Sequence, residues 1–200
     1  MKAIGLMLLA SMVLTSALSR TAEAQIVYTQ VNVAIPVGGS YNLDVNGDGV
    51  IDYVLQSKFL QEYCQSGDEF SWRLTAIPAG GNDVVTSLNQ AGSDYASALP
   101  YDAPVNSSQN LYPGSATMAE LYWGACGIGM LGEWLNQPTR YLGLQFQAAD
   151  GIHYGWAKLS TVAYVDQDQH LHASTLLSGF AYEVTPGAGI LAGNTGTGTP

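Results

Sequence analysis

Positive charge is scarce in this chain: six Lys and Arg stand against sixteen Asp and Glu, a formal net charge of −10. A surface of that sign repels phosphate backbones and anionic lipid, which makes nucleic acid and membrane surfaces poor partners. Long stretches with apolar residues at helical spacing are missing, which argues against a helical domain. Cysteine is limited to Cys64 and Cys126, so CxxC redox chemistry and Cys/His zinc spacing are excluded. The GxSxG signature of a serine nucleophile does not occur.

One apolar run exists, Ile4 to Leu18, preceded by Lys2 and followed by Ala22-Glu23-Ala24. It is shorter than the roughly 20 residues that cross a bilayer, and the small-x-small ending is a cleavage signal. Residues 1–24 are therefore expected to be a secretory signal peptide, the mature chain to be secreted or displayed at the cell surface, and no part of it to insert in a membrane. Without Lys2, Arg20 and Glu23 the chain keeps four basic and fifteen acidic side chains. An oxidising destination predicts a Cys64–Cys126 disulfide. The bridge would restrain the unfolded chain by about 4 kcal/mol in the entropic account.

Period-two alternation recurs along the rest. "IVYTQVNVAIPV" sets Val27, Val31, Val33 and Ile35 on one face, "YLGLQFQ" sets Leu142, Leu144 and Phe146 together, and "HLHASTLLSGFAYEV" does the same for Phe180, Tyr182 and Val184. Strands broken by short polar turns, in a chain with 23 glycines, predict an all-β fold: an antiparallel, jelly-roll-like β-sandwich over residues 25–193. Residues 194–200 read as a flexible tail. Between Asn89 and Glu120 the pattern weakens into a long loop with Tyr95, Tyr101 and Tyr112, either a binding surface or a cover over a sheet edge.

"DVNGDGVID" is the densest cluster of chemistry. Asp44, Asn46 and Asp48 at alternate positions, the carbonyl of Val50, and Asp52 supply hard oxygens around a bend at Gly49, the pattern of a calcium loop. Leu55 stands where a helix-loop-helix site has its bidentate glutamate, so the likeness is to the DxDxDGxxD loops of extracellular β-rich proteins. Calcium is the expected cofactor, in a structural role; a bare hairpin turn would not require Asp44 and Asp52 at these offsets.

Catalytic candidates are few. His170 and His172 alternate on a strand and share a face, half of a metal site, but the glutamate of a cupin set is absent. His153 sits among aromatics in "GIHYGW". Glu120 and Glu133 are the candidate acid pair of a glycosidase, without a second acid beside either. Trp72, Trp123, Trp134 and Trp156, with twelve tyrosines, offer either a sugar-stacking platform or core.

The C-terminal third carries Tyr141-Leu142-Gly143 with Phe146, His153-Tyr154-Gly155-Trp156, and Ala181-Tyr182-Glu183 with Pro186, Ile190 and Gly193. This pattern, with the aspartate loop ahead of a strand, resembles a group of secreted bacterial β-rich proteins of the PEP-CTERM-associated type. Nothing after Gly193 matches the sorting tail of that group. The resemblance implies an exported surface or matrix protein and no catalytic residues. The sequence therefore predicts a non-enzymatic, calcium-stabilised structural protein that partners with itself, as a homo-oligomer or filament through its N-terminal strand, or with extracellular polysaccharide. A carbohydrate-binding module and a polysaccharide hydrolase are the alternatives.

Overall fold

The computed structural model describes residues 25–88 and 94–196; the expected signal peptide, residues 89–93 of the long loop and the last four residues of the expected tail lie outside them. Among the described residues every regular element is a strand. They are β1 (Ile26–Ile35), β2 (Ser40–Leu43), β3 (Tyr53–Cys64), β4 (Gly67–Pro78), β5 (Asp83–Leu88), β6 (Asp94–Ala96), β7 (Pro104–Val105), β8 (Leu111–Tyr112), β9 (Ala116–Gly124), β10 (Gly127–Leu131), β11 (Arg140–Ala148), β12 (Gly151–Val165), β13 (Leu171–Glu183) and β14 (Ile190–Leu191).

The main path runs β1-β13-β12-β11-β5-β6-β9-β4-β3-β2, with β10 on β9 and β8 on β5. It curls into a sandwich-like, nearly closed barrel. Pairing is antiparallel throughout except for β6 against β9. One strand joins the two layers: Asp83 and Val84 of β5 pair with Gln145 and Leu144 of β11, whereas Thr86 to Leu88 turn to pair with β6.

The alternations seen in the sequence set the core. Leu142, Leu144 and Phe146 of β11 pack with Phe180 of β13, Leu55 of β3, and Trp72 and Leu74 of β4, with Tyr182 at the margin. Trp72, Trp134 and Trp156 are fully buried and Trp123 nearly so; all four tryptophans belong to the core and none forms a solvent-facing platform. β1 departs from its expected pattern. Between Gln30 and Val33 it carries one residue more than β13 opposite, and this bulge reverses which side chains face inward. Val31, Val33 and Ile35 stay on the core side, but Val27 is exposed and Ile26 packs elsewhere. β1 pairs with β13 at the edge of its sheet.

Ile26 joins a second, smaller core made by Tyr154 and Trp156 of β12, Tyr141 of β11, Val105, Ile190 and Ala192. The long loop supplies part of its cover: it contains β6 to β8 and places Leu99, Ala103 and Leu111 against this cluster. The "HYGW" stretch lies at the boundary of the two cores. His153 and Ala157 face one, Tyr154 and Trp156 the other, and Gly155 lets β13 approach, since a Cβ there would lie 2.6 Å from the Ala181 carbonyl oxygen. The Trp156 indole N–H donates to the Asn194 carbonyl at 3.1 Å.

Cys64 and Cys126 form a disulfide with Cα atoms 6.4 Å apart. It joins the tips of two neighbouring hairpins, β3–β4 and β9–β10. Replacing both cysteines by serine is expected to lower stability by about 2–4 kcal/mol, read as an earlier midpoint in urea unfolding. An unchanged midpoint would contradict this role.

Candidate functional site

The aspartate loop connects β2 to β3, and its carboxylates organise its backbone. Asp44 accepts the N–H groups of Gly47 at 2.7 Å, Asp48 at 3.2 Å and Gly49 at 2.8 Å. Asp48 accepts from Val50 N–H at 2.8 Å and from the Asn46 side-chain amide at 3.0 Å. Gly49 has φ +88°, the left-handed bend expected of it. Asp44, Asn46 and Asp48 lie at the surface, and carboxylates keep lone pairs beyond those used here.

Asp52 differs from the others. It is 4 % exposed, accepting from Val45 N–H at 2.8 Å and from the Asn82 side chain at 3.2 Å. Burial, with smaller contributions from the charges of Asp44 and Asp48, raises its pKa, while the Val45 and Asn82 hydrogen bonds oppose the rise. Asn82 in turn accepts from Gln147 N–H at 2.9 Å, so Asp52 ties the loop to β11. Asp52 thus anchors the loop from the inside, while Asp44, Asn46 and Asp48 hold its outer side.

A second feature was not legible in the sequence. Antiparallel pairing sets Glu62 of β3 opposite Glu69 of β4, and Arg73 and Ser71 of β4 opposite Glu120 and Tyr122 of β9. Glu62, Glu69, Ser71, Glu120 and Tyr122 line an open cleft of about 200 Å³. Arg73 donates to Glu120 at 2.7 Å, and that hydrogen bond holds the guanidinium firmly charged. The Ser71 hydroxyl is buried without a protein partner, as is Nε of Arg73. Period-two spacing put these residues on common strand faces, but which strands would adjoin could not be read from the chain.

The two glutamates that the sequence offered as a candidate acid pair are each engaged by other groups. Glu120 is engaged by Arg73, while Glu133 accepts hydrogen bonds from the Ser87 hydroxyl and from Ala98 N–H, the latter at 2.9 Å. His170 and His172 do converge, on Asp166 in the β12–β13 turn. His153 is buried between acceptors: Nδ1 is 2.8 Å from the Glu183 carbonyl and Nε2 is 2.9 Å from Asp150 Oδ1. No protein-family model, curated protein or solved structure matches this chain.

The His153 hydrogen bond lowers the Asp150 pKa. A depressed carboxyl contributes stability that is present above its unfolded value, near 3.9, and is lost as pH falls through the folded value. Asp150→Asn is therefore expected to flatten the acid limb of the stability curve, measured by thermal melts between pH 2 and 6. A mutant curve that parallels the parent through the acid range would refute the pair.

Proposed function

We propose that this chain is a non-enzymatic, exported component of a cell surface or extracellular matrix that holds extracellular polysaccharide. The cleft beside Arg73 carries this reading. Its buried, unpartnered Ser71 hydroxyl and three carboxylates are the complement of a ligand rich in hydroxyl groups, because carboxylates accept from O–H and leaving a buried polar atom unpaired costs about 1–3 kcal/mol. Tyr122 adds a ring against which the C–H face of a sugar can pack. Export is supported by the N-terminal signal-like segment, the disulfide and the resemblance to secreted PEP-CTERM-type proteins.

Hydrolysis is the second reading, favoured by the presence of three carboxylates in one cleft. Binding without turnover separates the two. Immobilised chain is expected to retain soluble neutral polysaccharides, Glu62→Gln with Ser71→Ala to lose that retention, and no new reducing ends to appear on prolonged incubation. Retention that survives the double substitution would overturn the site; release of reducing ends would replace binding by hydrolysis.

Calcium at Asp44, Asn46, Asp48 and the Val50 carbonyl completes the proposal as a structural ion. It would screen carboxylates that otherwise repel one another and would lessen the penalty on buried Asp52. Because a ligand selective for the folded state stabilises it, calcium at about 1 mM, the upper range for extracellular sites, should raise the melting temperature relative to chelator. Asp48→Ala should abolish most of the rise; identical melts with calcium and with chelator would exclude the ion.

A further inference from the structure

We propose that the β12–β13 turn is a binding site for a transition-metal dication of the zinc type, with Asp166, Asp168, His170 and His172 as its ligands. This goes beyond polysaccharide retention and the calcium loop, and rests on neither.

The turn brings three donors of mixed chemistry together, and a fourth, His172, reaches them through Asp166. Ligand atoms of Asp166, Asp168 and His170 all lie within 4.8 Å of one another. His172 Nε2 stands 2.8 Å from Asp166 Oδ2, and His170 Nδ1 stands 3.6 Å from Asp166 Oδ1. Zinc binds imidazole nitrogen and carboxylate oxygen at about 2.0–2.2 Å, so two donors on one ion sit roughly 3–4 Å apart. The spacings found fit that requirement with side-chain adjustment alone.

The backbone under the donors is already fixed. Asp166 N–H donates to the His170 carbonyl at 3.0 Å and Gln169 N–H to the Asp166 carbonyl at 3.1 Å, while the left-handed Gln169, φ +64°, closes the turn. Asp166 Oδ1 also accepts from the N–H groups of Asp168 and His170 at 3.0 and 2.9 Å. The Tyr164 ring stacks on the His172 imidazole, centroids 4.7 Å apart and planes 12° from parallel, which holds that ring in place. Asp166 is thus oriented by hydrogen bonds while His172 is oriented by packing, as ligands of a metal site are.

Donor type separates this site from the aspartate loop. Imidazole with carboxylate suits zinc, copper and nickel, whereas carboxylate and carbonyl oxygens suit calcium. The strongly acidic chain further favours cations over anions at an exposed turn. The remaining histidine, His153, is buried and engaged on both nitrogens, so histidine-dependent metal uptake reports on this turn.

Zinc titration of the full chain by calorimetry is expected to show one saturable site. His170→Ala with His172→Ala should weaken it by roughly tenfold or more, and Asp48→Ala should leave it intact. In the unsubstituted protein, zinc should shift the imidazole proton resonances of His170 and His172 and leave those of His153 in place, a readout independent of whether any variant folds. The proposal is overturned by an absence of saturable uptake, by uptake that the double histidine variant retains, by uptake that Asp48→Ala removes, or by histidine resonances that do not respond.

Discussion

Two curved layers that share a single strand need something besides apolar packing to fix their angle, and here a buried polar seam does so. Tyr53, fully buried, donates its hydroxyl to the Gln145 carbonyl at 2.6 Å with the Asp83 carbonyl at 3.0 Å. Gln145 donates its side-chain amide to Asp83 at 2.7 Å, and next to this lies the chain from Val45 through Asp52 and Asn82 to Gln147 N–H. These bonds link β3, β5 and β11 where β5 passes from one layer to the other. Buried polar groups tolerate few geometries, since an unmade hydrogen bond costs more than a made one contributes. The seam therefore fixes one arrangement of the layers, and burial together with the nearby charges of Asp52 and Asp83 pushes the Tyr53 hydroxyl pKa well up.

The candidate sites are arranged around that seam. Asp52 couples the aspartate loop to it, so that an ion held by the surface oxygens would act on the joint between layers and not on a loose turn. At the other end of β3 and β4 the disulfide holds two hairpin tips together, which keeps β4 and β9 in register where Glu62, Glu69, Ser71 and Glu120 meet. The Asp166 turn belongs to the β12–β13 hairpin, whose long ladder presents its donors on a stiff support. Rigid elements place side chains more closely than free loops do.

The expected features differ in how far the chain itself revealed them. The cysteine pairing followed from count and the expectation of an oxidising compartment. The inward faces of β11 and of Phe180 and Tyr182 in β13 followed from alternation, and the bend at Gly49 from the aspartate spacing. In β1 the same alternation misplaced Val27, because a bulge depends on the neighbour's register and leaves no mark in one strand's own pattern. Composition left the tryptophans open between platform and core, and burial decided it. Glu120 and Glu133 proved to be engaged by other groups, Arg73 for the one and Ser87 with Ala98 N–H for the other, whereas Glu62 and Glu69 faced each other across a hairpin; opposition of that kind is a property of register.

Sequence by itself determined what depends on neighbouring residues: strand and turn, the aspartate loop's internal hydrogen bonds, and the sign of the surface charge. These follow from local sterics and period, which a few adjacent positions specify. Tertiary structure alone decided what depends on meetings between distant segments: the passage of β5 between layers, Asn82 beneath Asp52, the cleft assembled from β3, β4 and β9, and the second core under the long loop. Those meetings arise because polar groups must be satisfied and apolar faces covered over the whole molecule at once, and no short stretch of chain carries that requirement.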